Sequence, residues 1–133
     1  MESELRRAIG ESWRNSRART LLAPLVLLDG HEAEALRLLD EAIALDPRNL
    51  RAHAYRGQIE LGGGQARAAL RDFEGEIRLQ GVDAFLARHM GLAYARMADR
   101  GRARAWYRRA LEIDPADRVA RDSLAALEAG MGH

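Results

Sequence analysis

At 133 residues the chain has the length of one domain, enough to bury roughly two thirds of the surface that its unfolded form exposes. A formal charge of +1 gives no whole-chain reason to expect strong nucleic-acid binding, and the absence of cysteine excludes both a disulfide framework and a thiolate metal site. All 21 basic residues are arginine, a bias over the whole chain that reads as codon usage rather than a choice of guanidinium at every site.

The opening MESELRRAIGESW is charged throughout and lacks the apolar centre of a secretory signal. The longest apolar run, Leu21 to Leu28, is about half of what spans a bilayer. A soluble, cytoplasmic protein without membrane insertion is expected; a chain trimmed of a signal or anchor reads the same.

Helical spacing starts at once. Leu5, Ala8, Ile9 and Trp13 fall on one face of Ser3 to Arg14, either a half-repeat or an extension that orders only against a neighbour. Arg17 to Leu28 is a second helix with Pro24 inside it, where a kink or break is expected because proline removes a backbone donor and crowds the preceding turn. Asp29-Gly30 ends it, and Glu32 to Leu45 follows with Ala35, Leu36, Leu39, Ala42 and Ile43 apolar, stopped by Asp46-Pro47.

The next helix carries Ala54, Tyr55, Gly57 and Ile59 and breaks at Gly62-Gly63-Gly64. Ala66 to Leu79 presents Ala69, Leu70, Phe73 and Ile77. Glu76 stands where an alanine belongs and Gly81 where a proline belongs, which marks this junction as the loosest of the array. Ala84 onward gives a helix with Phe85, Leu86, Met90, Leu92, Ala93 and Tyr94, then one with Ala103, Trp106, Tyr107, Ala110 and Leu111. After Pro115, Val119 to Glu128 sets Val119, Ala120, Leu124 and Leu127 on one side, as a lid over the last unit does, and 130–133 reads as a frayed tail.

These segments repeat every thirty-four residues. Pro47 and Pro115 lie two periods apart; Ala35, Ala69 and Ala103 fall on the period, as do Leu39, Phe73 and Tyr107, and Gly57 with Gly91. Small residues (Ala23, Gly57, Gly91) recur where helices approach closely, and bulky ones where they fill the gap. From about Arg17 to Glu128 the chain resembles the tetratricopeptide repeat family. Its departures are Pro24, Glu76, Gly81, and Arg56 where a leucine-like residue is usual. The resemblance implies an all-α fold: a right-handed α-solenoid of three helix-turn-helix units (16–49, 50–83 and 84–117), with an N-terminal helix in 1–15 and a capping helix over 118–129.

Tests for chemistry fail. His31-Glu32 begins like a zinc-protease motif, but the second histidine falls on Ala35. His53 and His89 occupy adjacent units without further ligands, so no metal is expected, and Gly62 to Gly64 lacks the Gly-Lys-Ser/Thr of a phosphate loop. No catalytic residue and no cofactor is expected, and the chain is read as not an enzyme. The cluster Arg100, Arg102, Arg104, Arg108 and Arg109 reads as a solvated outer face, partly neutralised by Glu112 and Asp114, in preference to a docking patch for phosphate or an acidic partner.

The family resemblance further implies that the first helix of each unit lines a concave groove in which a partner peptide or helix lies. On this chain the groove residues are Leu21 and Leu28, then Arg51, Tyr55 and Gln58, then Phe85, Arg88, His89, Leu92 and Arg96, with Asp122 and Ser123 as an extension on the cap. Tyr55, Phe85 and Leu92 are the expected apolar anchors, Arg51, Arg88 and Arg96 the charge complement, and the helix from Ala84 the expected centre. Chaperone-binding relatives grip a terminal carboxylate with lysine, asparagine and arginine; here those places hold Thr20, Pro24, Tyr55, Phe85 and His89. A non-enzymatic interaction module, an adaptor or assembly chaperone for a protein partner, is therefore expected. A self-assembling homo-oligomer is the alternative, and nucleic-acid binding through the arginines ranks below both.

Overall fold

Three side chains on the repeat period start helices in the same way. Asn15 accepts the Ala18 N–H at 2.8 Å, Asp83 that of Leu86 at 2.8 Å, and Asp117 that of Ala120 at 3.0 Å, each satisfying a donor that the first turn leaves unpaired. The computed structural model describes residues 1–11 and 15–131. Among these the elements are α1 (Glu2–Glu11), α2 (Ser16–Leu28), α3 (Glu32–Leu45), α4 (Ala52–Gly62), α5 (Ala66–Gln80), α6 (Ala84–Arg96), α7 (Arg100–Ile113) and α8 (Arg118–Met131), with no strand.

The fold is an α-solenoid. Helices pack chiefly in the pairs α2 with α3, α4 with α5 and α6 with α7; each second helix then touches the first helix of the next pair, and first helices meet along one edge. Tight turns join the pairs, with Gly30 at φ +82°, Gly64 at φ +82° and Ala98 at φ +61° on equivalent positions. Inside the pairs the close approach is specific. A Cβ on Gly57 would stand 2.8 Å from the Phe73 ring, and one on Gly91 2.7 Å from the Tyr107 ring. In the first unit Ala23 and Leu39, a larger and a smaller residue, hold the same two positions within one core.

The core is segmented along the array. Leu22, Val26, Leu39 and Ala42 belong to one cluster, Phe73, Leu86 and Met90 to the next, and Ala87, Ala110 and Ala120 to the last. Trp106 packs against both of the latter two.

Several expectations change here. α1 is packed, with Leu5 buried in the first core beside Ala8 and Ile9 and Arg6 paired to Glu34 of α3 at 3.0 Å; Trp13 lies outside the described residues. α2 runs unbroken across Pro24: proline leaves the Thr20 carbonyl without its usual donor, but buried Leu22, Ala23 and Val26 hold both halves to one core. On α8 only Ala120 is fully buried, Leu124 and Leu127 are half-buried, and Val119 is 57% exposed because it lies on the outer side of the first turn. α8 also continues through Gly130 to Met131, into the expected tail, of which Gly132 and His133 lie outside the described residues.

Candidate functional site

The first turn of α4 is missing. On the repeat period Ala84 of α6 and Arg118 of α8 correspond to Leu50, yet α4 starts only at Ala52. Asn49 occupies the capping position, but its Nδ2 donates to Thr20 Oγ1 at 2.9 Å and to Ser16 Oγ, whose hydroxyl donates to the Ala42 carbonyl at 2.8 Å, and among the described residues its oxygen takes no N–H of α4. α4 takes its acceptor from α5 instead. Glu76, fully buried, receives the Arg51 N–H at 3.0 Å on each carboxylate oxygen and the Ala54 N–H at 3.1 Å on Oε1. Far from marking a loose junction, Glu76 is the cap of α4, and a carboxylate at the positive end of a helix is favoured there. The arrangement bends Arg51 to φ +80°, a left-handed conformation that costs a non-glycine residue about 1–2 kcal/mol.

Unwinding leaves Leu50 and Arg51 as the wall of a cleft of about 480 Å³ against α2. Thr20, Asn49 and Tyr55 line it, together with Arg17 and Leu21 from α2 and Asp46 and Arg48 from the turn. Tyr55 also lines a smaller cavity of about 60 Å³ further along the same two helices, with Pro24, Leu27, Gln58 and Ile59. Basic charge predominates in the larger one. Arg17 and Arg48 make no ion pair among the described residues, Arg51 lies 3.5 Å from Asp83, and the single lining carboxylate, Asp46, accepts the Arg48 N–H at 3.0 Å.

Of the groove residues expected from sequence, Leu21, Arg51 and Tyr55 meet at the larger cavity and Gln58 joins Tyr55 at the smaller one. Leu28, 84% exposed, lines neither; Leu27 does. The five residues of α6 line neither cavity. Arg88 is held by Asp117 at 3.0 and 3.1 Å, on the register that Thr20 and Asn49 hold two periods earlier. Arg96, though exposed, donates to the Leu61 carbonyl at the end of α4. His89 is buried, and burial, the largest influence, lowers its pKa; its Nδ1 lies 2.8 Å from the Phe85 carbonyl, which fixes the ring as a donor to backbone. Phe85 stacks on it at 4.1 Å with Arg51 and Arg88 about 6 Å from the Phe85 ring, and Leu92 is half-buried in the middle core.

Arg56, a departure from the leucine-like pattern, anchors a polar cluster that sequence reading missed. Its guanidinium forks onto Asp72 at 2.7 and 2.9 Å and reaches Asp40 of α3 at 3.0 Å, while His53 Nδ1 lies 3.2 Å from Asp72. Burial pushes the Glu60 carboxyl up to about 8, and a hydrogen bond shared with Asp72 adds to the shift. Burial would raise Asp72 as well, but its bonds to Arg56, Glu60 and His53 outweigh that and hold it below the usual range. The available signal was His53, Arg56 and Glu60 on one face of a helix otherwise packed on an apolar one.

The arginine cluster of α7 is largely tied down. Arg102 pairs with Asp99 at 2.9 Å, Arg108 with Glu128 at 3.3 Å and Arg109 with Glu112 at 3.5 Å, and Arg100 donates to the Gly130 carbonyl at 3.3 Å. Among the described residues no group of three or more His, Asp or Glu side chains is placed to hold a metal ion, and no helix is long and apolar enough to cross a membrane.

Stacked helix pairs with a cleft between successive first helices define a repeat solenoid with one open inner face. The fold is that of tetratricopeptide repeat proteins: a tetratricopeptide repeat model matches residues 89–117, and solved structures of similar shape include TPR proteins. MamA from Desulfovibrio magneticus RS-1 superposes with a TM-score of 0.88 at 18% identity, covering 98% of this chain and 74% of that one. YrrB, a TPR protein with an unusual peptide-binding site, gives 0.88 at 21%, covering 99% and 68%. The first TPR of Spaghetti (RPAP3), bound to the HSP90 peptide SRMEEVD, gives 0.83 at 17%, covering 89% and 94%. No curated protein matches the chain by sequence.

Proposed function

We propose that this chain is a non-enzymatic protein-interaction module, an adaptor or assembly chaperone that holds a segment of a protein partner against its first helices. One observation carries the reading: between α2 and α4 the side chains of Leu21, Arg51, Tyr55 and Gln58 border open cavities, Tyr55 with one side against the first core. A volume of about 480 Å³ lies within the range of cavities that take up ligand groups of a few side chains' size. Similar solenoids that hold peptides, YrrB and the Spaghetti repeat domain, add support to this reading.

The test is site-specific photo-crosslinking. A photoreactive residue replacing Gln58, which is exposed and lines the smaller cavity, is expected to yield adducts with a discrete protein segment in a native lysate. The same residue at Glu112, exposed on α7, serves as the control. Equal labelling from both positions, or none from Gln58, overturns the reading.

A further inference from the structure

Resting on that reading, we infer that the occupant is an acidic peptide segment whose carboxylates lie over Arg17, Arg48 and Arg51 and whose adjacent apolar side chain enters the smaller cavity beside Pro24 and Leu27. The cleft has two chemically different ends joined by one side chain, Tyr55, which lines both cavities. At one end three guanidiniums stand beside one lining carboxylate, which already accepts a backbone N–H, and only Arg51 has a further acidic neighbour, Asp83 at 3.5 Å. Arg17 and Arg48 have no acidic partner among the described residues, whereas most arginines of α7 do. Guanidiniums left open beside a cavity favour a carboxylate brought by another molecule, since each then gains a charge-assisted bond that water alone supplied before.

The second end decides between classes of partner. Pro24, Leu27 and Ile59 offer a small apolar slot, which suits an aliphatic side chain and offers nothing to a sugar-phosphate chain. Among the described residues the basic end holds a single ring, Tyr55, too few for a run of stacked bases. A peptide satisfies both ends at once.

The cleft is also built at a cost. α4 gives up its first turn, Arg51 takes a left-handed backbone, and a buried Glu76 caps the shortened helix; no other first helix carries any of these. Leu50 and Arg51, the two residues just ahead of the start of α4, stand on the cleft wall.

A random peptide library displayed on phage, panned against the full chain, tests the inference. The peptides recovered are expected to carry Asp or Glu next to Leu, Ile or Val. Their synthetic, fluorescein-labelled forms should lose affinity at least about tenfold in the Arg17→Gln/Arg48→Gln variant, and should bind more weakly as salt rises from about 50 to about 300 mM. Both arginines lie on the surface without ion pairs, and unchanged thermal melting of the variant confirms that the fold is intact. Peptides that are neutral or basic, or that bind the double variant equally well, overturn the acidic-partner inference while leaving the groove reading in place, provided they still lose affinity in Tyr55→Ala. Recovery of no peptide, or only of peptides indifferent to Tyr55→Ala, overturns both.

Discussion

The ring of Tyr107 lies where a side chain on Gly91 would have to begin: a Cβ there would stand 2.7 Å from two ring carbons. Tyr107, on α7, is only 2% exposed and its ring is pressed against α6 at Gly91, so it yields little. Gly91→Ala is therefore expected to destabilise the fold by about 1–2 kcal/mol, the overpacking cost outweighing the roughly 1 kcal/mol that alanine gains in a helix. Urea unfolding measures it. Adding Tyr107→Leu should recover part of the loss, because the first unit already holds an alanine and a leucine, Ala23 and Leu39, at these positions; a double variant no better than the single one would show that the clash is not the cause.

Ala98 occupies the left-handed turn position that glycine fills at Gly30 and Gly64. Ala98→Gly is expected to stabilise the chain by about 0.5–1 kcal/mol, since relief of the left-handed backbone outweighs the extra freedom gained by the unfolded chain. A lower melting temperature for this variant would contradict the geometry of the turn.

Removing the buried cap has the opposite sign. In Glu76→Ala the Arg51 and Ala54 N–H groups lose their acceptor, and a loss of about 2–3 kcal/mol is expected, with Glu76→Gln falling between that variant and the parent. Hydrogen exchange gives the local check: the amides of Arg51 and Ala54 should be protected in the parent and exchange markedly faster in Glu76→Ala.

The Glu60 carboxyl predicts a pH dependence. With its folded value raised to about 8, Glu60 keeps its proton in the folded chain over a range where the unfolded chain, near 4.5, has lost it. Stability from this group is thus fully present below about 4.5 and is lost as pH rises through about 8. His89, lowered by burial, acts in the other direction only near and below its ordinary 6.5. Thermal melting between pH 7 and pH 8.5 should therefore show the melting temperature falling in the parent, and Glu60→Gln should flatten the slope; an equal slope in both would assign the effect elsewhere.

The solenoid was legible because the same contact is written three times. Ala35, Ala69 and Ala103 are all fully buried, and Leu39, Phe73 and Tyr107 fill the same gap in successive units. The cleft was less legible because it comes from a break in that period. Asn49 looks like one more helix cap until Ser16 and Thr20, from the preceding helix pair, are seen to claim its amide. Glu76 looks like a packing fault because its partners are backbone N–H groups, which leave no mark in a sequence. The residues of α6 have the right spacing for the inner face, yet Arg88 and Arg96 are spent on holding neighbouring helices, and no rule of spacing tells an engaged guanidinium from a free one. Tyr55, Leu21 and Arg51 could be named in advance; Arg17 and Arg48 needed the unwound turn to bring them into view.

The joints of the array differ at one register: Asn49 donates to Thr20, Arg88 pairs with Asp117, and between them Ala54 has no polar side chain, so Asp83 pairs with Arg51 instead. A neutral hydrogen bond, a displaced ion pair and a direct ion pair cannot be exchanged for one another. Sliding the chain by one period would set Asn49 or Asp117 against Ala54, whose methyl group answers neither. The units share a shape but differ at this register, so the order in which they stack is written in side chains as well as in connectivity.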